Sequence, residues 1–137
     1  MDQLAIDNYF ACPIYSIEKP EWVSKIDKAC DKHIKEAYKR EKPNQLKRKK
    51  ELGTKHYNAV KDHGMSYHSG GIQQDPDLKE FVNYCGNTAH NILDEQGFDM
   101  SNYKMFFTEC WVQEFSKNGG GHHNTHIHSD NHISGFY

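Results

Sequence analysis

Residues 116–137 of the chain read SKNGGGHHNTHIHSDNHISGFY and hold five of its ten histidines. A glycine triplet, Gly119–Gly121, comes before all five and predicts a turn. One residue separates His126 from His128, and side chains two residues apart on an extended strand lie on the same face. This stretch therefore predicts a strand that carries two imidazoles side by side, with Asp130 next along the same face.

The histidine pair indicates a metal site. Imidazole and carboxylate groups without a thiolate are typical ligands of Zn, Fe(II), Ni or Cu. A structural zinc site closes with four protein ligands, whereas two or three ligands from one strand leave coordination positions open, as a catalytic metal requires. We expect His126, His128 and Asp130 to be the ligands. The other histidines of the cluster are expected around the site or at the surface: His122, His123 and His132.

Two helices are predicted upstream of the cluster. Lys19-Pro20-Glu21 is a typical helix start, and apolar residues at spacings of three and four extend this helix to about Arg40. Asp75-Pro76-Asp77 predicts the second start, with Asp75 as N-cap and Pro76 in the first turn. Apolar residues then follow one helical face until Gly97, which is expected to close the helix.

Strands are predicted where aromatic and β-branched residues dominate, at Tyr9–Ile17 and Tyr103–Phe115. Between the two helices lies a basic segment, residues 39–55, with eight basic and two acidic residues. This segment contains Pro43 and Gly53 and lacks the aromatic residues that stack on single-stranded nucleic acid. We therefore interpret residues 39–55 as a solvated basic loop.

Composition limits the class of protein. The 137 residues suffice for one domain, and a net charge of −2 argues against a general nucleic-acid binder. No apolar run approaches the ~18 residues of a membrane-spanning helix, and the first residues lack the basic start of a signal peptide. The four cysteines are isolated, which favours a reducing, cytoplasmic setting.

Several motifs together resemble the 2-oxoglutarate/Fe(II) oxygenases related to prolyl hydroxylases, and among these a group common in marine phage genomes. The specific motif spans the last fifth of the chain, Trp111–Tyr137, and weaker similarity extends upstream. The specific segments are Trp111-Val-Gln-Glu-Phe115, the glycine turn, His126-Ile-His128 and Ile133-Ser-Gly-Phe-Tyr137. The weaker ones are Cys12-Pro-Ile-Tyr15, Ser66-Tyr-His-Ser-Gly70 and Gln96-Gly97.

This resemblance implies an α+β fold: an incomplete double-stranded β-helix (jelly-roll) core with two N-terminal helices packed outside. Residues 103–137 would supply core strands of a single domain that covers residues 1–137. Relatives carry a distal histidine and an Arg or Lys after the H-x-H motif, but this chain ends nine residues after His128. We therefore expect it to be the N-terminal part of an oxygenase jelly roll, inactive as a fragment.

The resemblance also implies the ligands and cofactors. His126 takes the histidine position of the family's H-x-D motif and His128 its aspartate position; alternatively, the motif slips by two residues and uses His128-Ser129-Asp130. Tyr137 would contact 2-oxoglutarate. Fe(II), 2-oxoglutarate and O₂ would then hydroxylate a C–H bond of an unspecified substrate. A phage-encoded enzyme would act in the host cytoplasm, and neither a membrane nor a nucleic acid is an expected partner.

Two other functions remain open at this point. A cupin-like metal-binding module without turnover shares the H-x-H motif but expects a glutamate shortly after it, and the last glutamate of the chain is Glu114. A structural virion protein with histidines around a symmetry-axis metal would show recurring H-x-H motifs. The motif occurs once in this chain.

Overall fold

The fold is a mixture of helices and one small sheet, and the computed structural model describes residues 13–137. The helices are α1 (Val23–Leu52), α2 (Thr54–Val60) and α3 (Lys79–Glu95), with short 3₁₀ turns at Pro20–Trp22 and Pro76–Leu78. The strands β1 (Ser66–His68) and β2 (Gln113–Phe115) pair antiparallel. None of the helices in this part of the chain combines the length and apolar character needed to cross a membrane.

Helix α1 begins close to the predicted start but continues to Leu52, so the prediction of a loop over residues 39–55 is wrong. Lysine, arginine, glutamate and leucine are strong helix formers and dominate this segment. A tertiary contact also holds the helix beyond Pro43, because Gln45 Nε2 donates to Tyr67 Oη at 2.9 Å. The helix ends at Gly53, whose φ of +73° favours glycine.

Helix α3 confirms the predicted capping signals. Asp75 Oδ1 accepts the backbone N–H of Asp77 at 3.0 Å, and Pro76 opens the 3₁₀ turn that leads into the helix. At the other end, Gly97 has a φ of +91° and donates its N–H to the carbonyl of Asp94 at 2.9 Å. Both ends of this helix were therefore encoded locally.

The β structure is shorter than predicted. Of the segment Tyr103–Phe115 only Gln113–Phe115 forms a strand, and residues 126–128 lie outside any strand. Residues 9–12 of the predicted first strand lie outside the described residues, and residues 13–17 are irregular. Residues 13–137 thus contain a two-stranded sheet, and the jelly-roll core stays a prediction.

The pairing of β1 with β2 sets which segments are neighbours. Tyr67 lies opposite Glu114 and His68 opposite Gln113. Beyond the strands the two chains stay together, because Ser69 N–H donates to the carbonyl of Val112 at 2.9 Å. The pairing therefore places the segment after β1 beside the segment before β2.

An apolar core forms between α1, α3 and these paired segments. Its buried members are Ala29, Cys30, Ile72 and Leu78, and partly buried side chains surround them: Ile26, Val82, Cys110 and Val112. Burial raises the pKa of the thiol of Cys30, so this cysteine packs as a small apolar residue.

Asp75 links α1 to α3 through charge. Its carboxylate is 4% exposed and lies 2.8 Å from Lys32 Nζ and 2.5 Å from His33 Nε2. Hydrogen bonds from Lys32, from the backbone of Asp77 and from His33 lower the pKa of Asp75 to about 2. The residue that caps the 3₁₀ turn before α3 therefore also anchors this end of the helix on α1.

A buried tyrosine organises the sheet. Tyr67 is fully buried, its ring stacks on Tyr38 at 3.8 Å, and its hydroxyl donates to Asp62 Oδ2 at 2.6 Å. Asp62 Oδ1 also accepts from Ser116 Oγ at 2.8 Å and from the side-chain amide of Asn118. Burial favours a higher pKa for Asp62, but these hydrogen bonds outweigh it and hold the pKa below its ordinary value.

Replacing Asp62 by alanine should destabilise the protein by about 2–4 kcal/mol, because the buried hydroxyl of Tyr67 loses its acceptor and Ser116 and Asn118 lose theirs. Urea unfolding would measure the change. Asp94→Ala, at an exposed position of α3, should stay within about 0.5 kcal/mol of the wild type. Equal stability of the two variants would contradict this role of Asp62.

Acid should weaken the link made by Asp75. Its pKa is about 2 in the folded state and about 3.9 in an unfolded chain. Because the folded pKa is the lower one, the stabilisation is complete above about pH 4 and is lost as the pH falls through about 2. Urea unfolding between pH 5 and pH 2 should show a shallower pH dependence for Asp75→Asn than for the wild type, and identical slopes would refute the assignment.

Candidate functional site

His126 and His128 lie close together, as the sequence predicts, although no strand holds them. Their Nε2 atoms are 3.0 Å apart, and their rings meet edge to face with centroids separated by 4.7 Å. His126 is exposed and His128 is partly buried. The two imidazoles therefore converge through the same ring nitrogen at a place that small molecules can reach.

The other nitrogen of each ring is engaged by the protein. His126 Nδ1 lies 2.9 Å from the carbonyl oxygen of Asn124, and His128 Nδ1 lies 3.0 Å from Glu109 Oε1. A carbonyl and a carboxylate both accept hydrogen bonds, so each Nδ1 carries a proton and donates it. In the neutral form of each ring, Nε2 is then the nitrogen with the free lone pair.

If both Nδ1 atoms hold protons, two neutral rings would bring two acceptor nitrogens to within 3.0 Å of each other, an arrangement that a cation between them would relieve. A shared proton would make one ring an imidazolium, and a metal ion would bind both rings as neutral ligands. His126 Nε2 and His128 Nε2 are close enough together to serve as two ligands of one metal ion.

A column of stacked rings supports His128. Trp111 lies between His68 and His128, with centroid distances of 5.1 Å and 5.9 Å and interplanar angles of 24° and 21°. Because β1 pairs with β2, His68 at the end of β1 lies beside the segment that carries Trp111. Residues 66–70 and residues 111–115, which are distant from each other in the sequence, thus meet at the candidate site.

The glycine turn begins the segment that carries the pair. Gly119 and Gly120 have φ angles of +80° and +71°, and the carbonyl of Gly119 accepts the backbone N–H of Gly64 at 2.8 Å. A Cβ atom on Gly120 would lie 2.5 Å from His63 Nε2. The positive φ angles favour glycine at both positions, a side chain at Gly120 would in addition displace the ring of His63, and the predicted turn is confirmed.

The remaining histidines of the cluster occupy three different environments. His123 stacks on His126 at 4.5 Å, nearly parallel. His132 meets Phe98 edge-on at 6.4 Å, and His122 is exposed. His123 is thus a neighbour of the pair, whereas His132 contacts a different part of the protein.

The contacts of the other two predicted site residues, Asp130 and Tyr137, do not include the histidine pair. Asp130 is exposed and sits in a turn with a φ of +62°. Tyr137 donates its hydroxyl to the carbonyl of Lys19, and its ring lies 5.4 Å from that of Phe81. Among residues 13–137 no group of three or more His, Cys, Asp or Glu side chains is arranged to hold a metal. The roles of Asp130 and Tyr137 stay predictions.

Sequence reasoning missed Glu109 and Asn124, which fix the orientation of the two rings. Glu109 is 19 residues before His128 and outside the motif, so no spacing rule connects them. Asn124 acts through its backbone carbonyl, which any residue could supply. Only the tertiary structure reveals either contact.

Comparisons of the chain with protein-family models, with curated proteins and with solved structures found no match.

Replacing Glu109 by alanine should weaken Zn(II) binding at the histidine pair by about 10–100-fold, because His128 would lose the acceptor that fixes its ring and its tautomer. Isothermal titration calorimetry on the full chain would measure the affinity. Glu109→Gln should lose less, since an amide oxygen can still accept from Nδ1.

Glu95→Ala, at the exposed end of α3, is the control for loss of one negative charge and should bind zinc like the wild type. Equal affinities of Glu109→Ala and Glu95→Ala would remove Glu109 from the site.

Proposed function

We propose that the chain binds Fe(II) through Nε2 of His126 and Nε2 of His128 and acts in a 2-oxoglutarate-dependent oxygenase that hydroxylates a C–H bond. The observation that carries the proposal is the 3.0 Å separation of these two nitrogens, with each Nδ1 held by a protein acceptor. The motif resemblance points to the same pair of residues and supplies the class of reaction.

Accessibility favours a catalytic metal over a structural one. Structural zinc sites close with four protein ligands, whereas this pair leaves most coordination positions to other groups. His128 is 27% exposed and Glu109 is 53% exposed, so small cosubstrates could approach. Bound iron would supply the positions for 2-oxoglutarate and O₂, and O₂ would be the oxidant both for 2-oxoglutarate, which becomes succinate and CO₂, and for the C–H bond.

The side chains around the pair would orient the ligands. Glu109 accepts from His128 Nδ1 and keeps Nε2 available, as acceptors on the outer nitrogen of metal-bound histidines commonly do. Trp111 covers one face of the His128 ring and limits its rotation. Under the family analogy, Asp130 would add a carboxylate ligand and Tyr137 would contact 2-oxoglutarate. Tyr137 would first have to release its hydrogen bond to the carbonyl of Lys19.

A metal-binding module without turnover is the second candidate. The same observation favours it, since a pair of oriented imidazoles binds a metal whether or not chemistry follows. The two candidates differ in one product, because an oxygenase converts 2-oxoglutarate to succinate and a binding module does not.

Anaerobic Fe(II) titration of the full chain should show one site, and His126→Ala and His128→Ala should each weaken binding by about 100-fold or more, since each removes one of two oriented ligands. His132→Ala, which removes a ring that contacts Phe98, is the matched control and should bind iron like the wild type. Wild-type affinity in both His126→Ala and His128→Ala would contradict the site.

Succinate formation from 2-oxoglutarate by the full-length gene product, in the presence of iron and O₂, then tests the reaction. The oxygenase predicts succinate with the wild type and none with His126→Ala. Iron binding without succinate would overturn the oxygenase and leave the metal-binding module.

A further inference from the structure

A row of lysines follows the exposed side of α1. Eight positions at alternating spacings of three and four residues run from Lys25 to Lys49, and seven of them are lysine, with Leu46 the exception. Because a helix has 3.6 residues per turn, these positions form one line about 36 Å long. All eight are exposed. The lysines are Lys25, Lys28, Lys32, Lys35, Lys39, Lys42 and Lys49.

Acidic side chains neutralise much of the first half of this row. Lys25 pairs with Glu80, and Lys32 lies 2.8 Å from both Asp75 and Asp77. Lys35 lies 3.2 Å from Asp31, one turn earlier on the same helix. These lysines serve the packing of α3 on α1 or the helix itself.

The second half of the row differs. Lys39, Lys42 and Lys49 form no ion pair with any of residues 13–137, and neither does Lys50 on the same side of the helix. We call these four residues the basic face. Lys49 Nζ also lies 5.9 Å from the centroid of the Tyr57 ring, a cation–π contact that does not neutralise its charge. The four charges are therefore available to an external anion.

The basic face stands out against an otherwise acidic chain. Residues 39–55 hold eight of the seventeen basic residues and two of the nineteen acidic ones, so seventeen acidic and nine basic residues lie elsewhere. The net charge of −2 is thus an average over two regions of opposite sign. A slightly negative net charge therefore does not exclude binding of a polyanion at the basic face, where the local charge is positive.

We propose that the basic face binds the phosphate backbone of double-stranded DNA without reading its bases. Lysines along one side of a continuous helix present a row of positive charges, and phosphate contacts of this kind supply sequence-independent affinity. Residues 39–55 contain no aromatic side chain for stacking on unpaired bases, so a duplex fits better than a single strand. DNA binding by the basic face would not depend on the proposed oxygenase activity of the histidine pair.

An anionic membrane fits this surface less well. A helix that lies in a membrane interface needs an apolar face beside its basic one. The apolar side chains of α1 face the protein interior, where Ile34 and Ala37 are buried. In the second half of the row Leu46, at 59% exposure, is the large apolar side chain on the surface. A single leucine provides little insertion energy, so electrostatic contact with a phosphate backbone is the better match.

Fluorescence anisotropy with a labelled duplex of about 20 base pairs and arbitrary sequence, measured on the full chain between 50 and 200 mM NaCl, tests the proposal. Four phosphate contacts should give a slope of log K against log[salt] of about −3.6. Replacing Lys39, Lys42 and Lys49 by Gln should make the slope shallower by about 3 and weaken binding at 50 mM NaCl about tenfold or more. Lys42→Gln alone should change the slope by about 1, so the result does not depend on the folding of the triple variant.

The control is the triple variant Lys79→Gln, Lys104→Gln and Lys117→Gln, which removes the same charge from exposed positions outside α1 and should retain binding close to that of the wild type. An equal loss in the two triple variants would overturn the proposal, because net charge alone would then explain the binding. No duplex binding at 50 mM NaCl, tighter binding of a single strand of the same length, or binding only to vesicles with about 30% phosphatidylserine would also overturn it.

Discussion

Asp62 accepts hydrogen bonds from Tyr67, from Ser116 and from Asn118, and so joins residues 62–67 to residues 116–118, which lie more than 50 positions later in the sequence. The carboxylate follows α2, Tyr67 is in the middle of β1, and the other two donors follow β2. A strand pair of three residues each is too short to be stable alone. The shared acceptor and the buried ring of Tyr67 therefore supply much of what keeps β1 and β2 in register.

This register determines the surroundings of the histidine pair. It places His68 beside Trp111, and Trp111 in turn covers His128. The glycine turn starts from the same region, because Gly64 donates to the carbonyl of Gly119. The convergence of His126 and His128 thus depends on contacts that begin more than 50 residues earlier in the chain. The proposed iron site would be a product of the whole β region rather than of the H-x-H motif alone.

Sequence signals correctly predicted the two ends of α3, because interactions between neighbouring residues determine them. The cap at Asp75 and the end at Gly97 need only neighbouring backbone groups, and the structure has both. The proximity of His126 and His128 was also predicted, but the prediction relied on a strand. The structure has no strand at residues 126–128. The imidazoles meet because Asn124 and Glu109 orient them.

Two errors have a tertiary origin. Pro43 suggested a break in a basic segment, but good helix formers on both sides and the bond from Gln45 to Tyr67 keep α1 continuous. Tyr103–Phe115 has strand-like composition, yet only its last three residues have a β partner, since β1 itself is three residues long. Composition predicts which residues tolerate a strand, whereas a strand exists only where another one pairs with it.

The most direct test of the account follows the histidine ring nitrogens by two-bond ¹H–¹⁵N correlation spectra during titration with Zn(II), a diamagnetic substitute for Fe(II). The account predicts that one equivalent of zinc shifts the Nε2 signals of His126 and His128 while Nδ1 of both rings stays protonated. Coordination through Nδ1, or zinc-dependent shifts confined to other histidines, would contradict it.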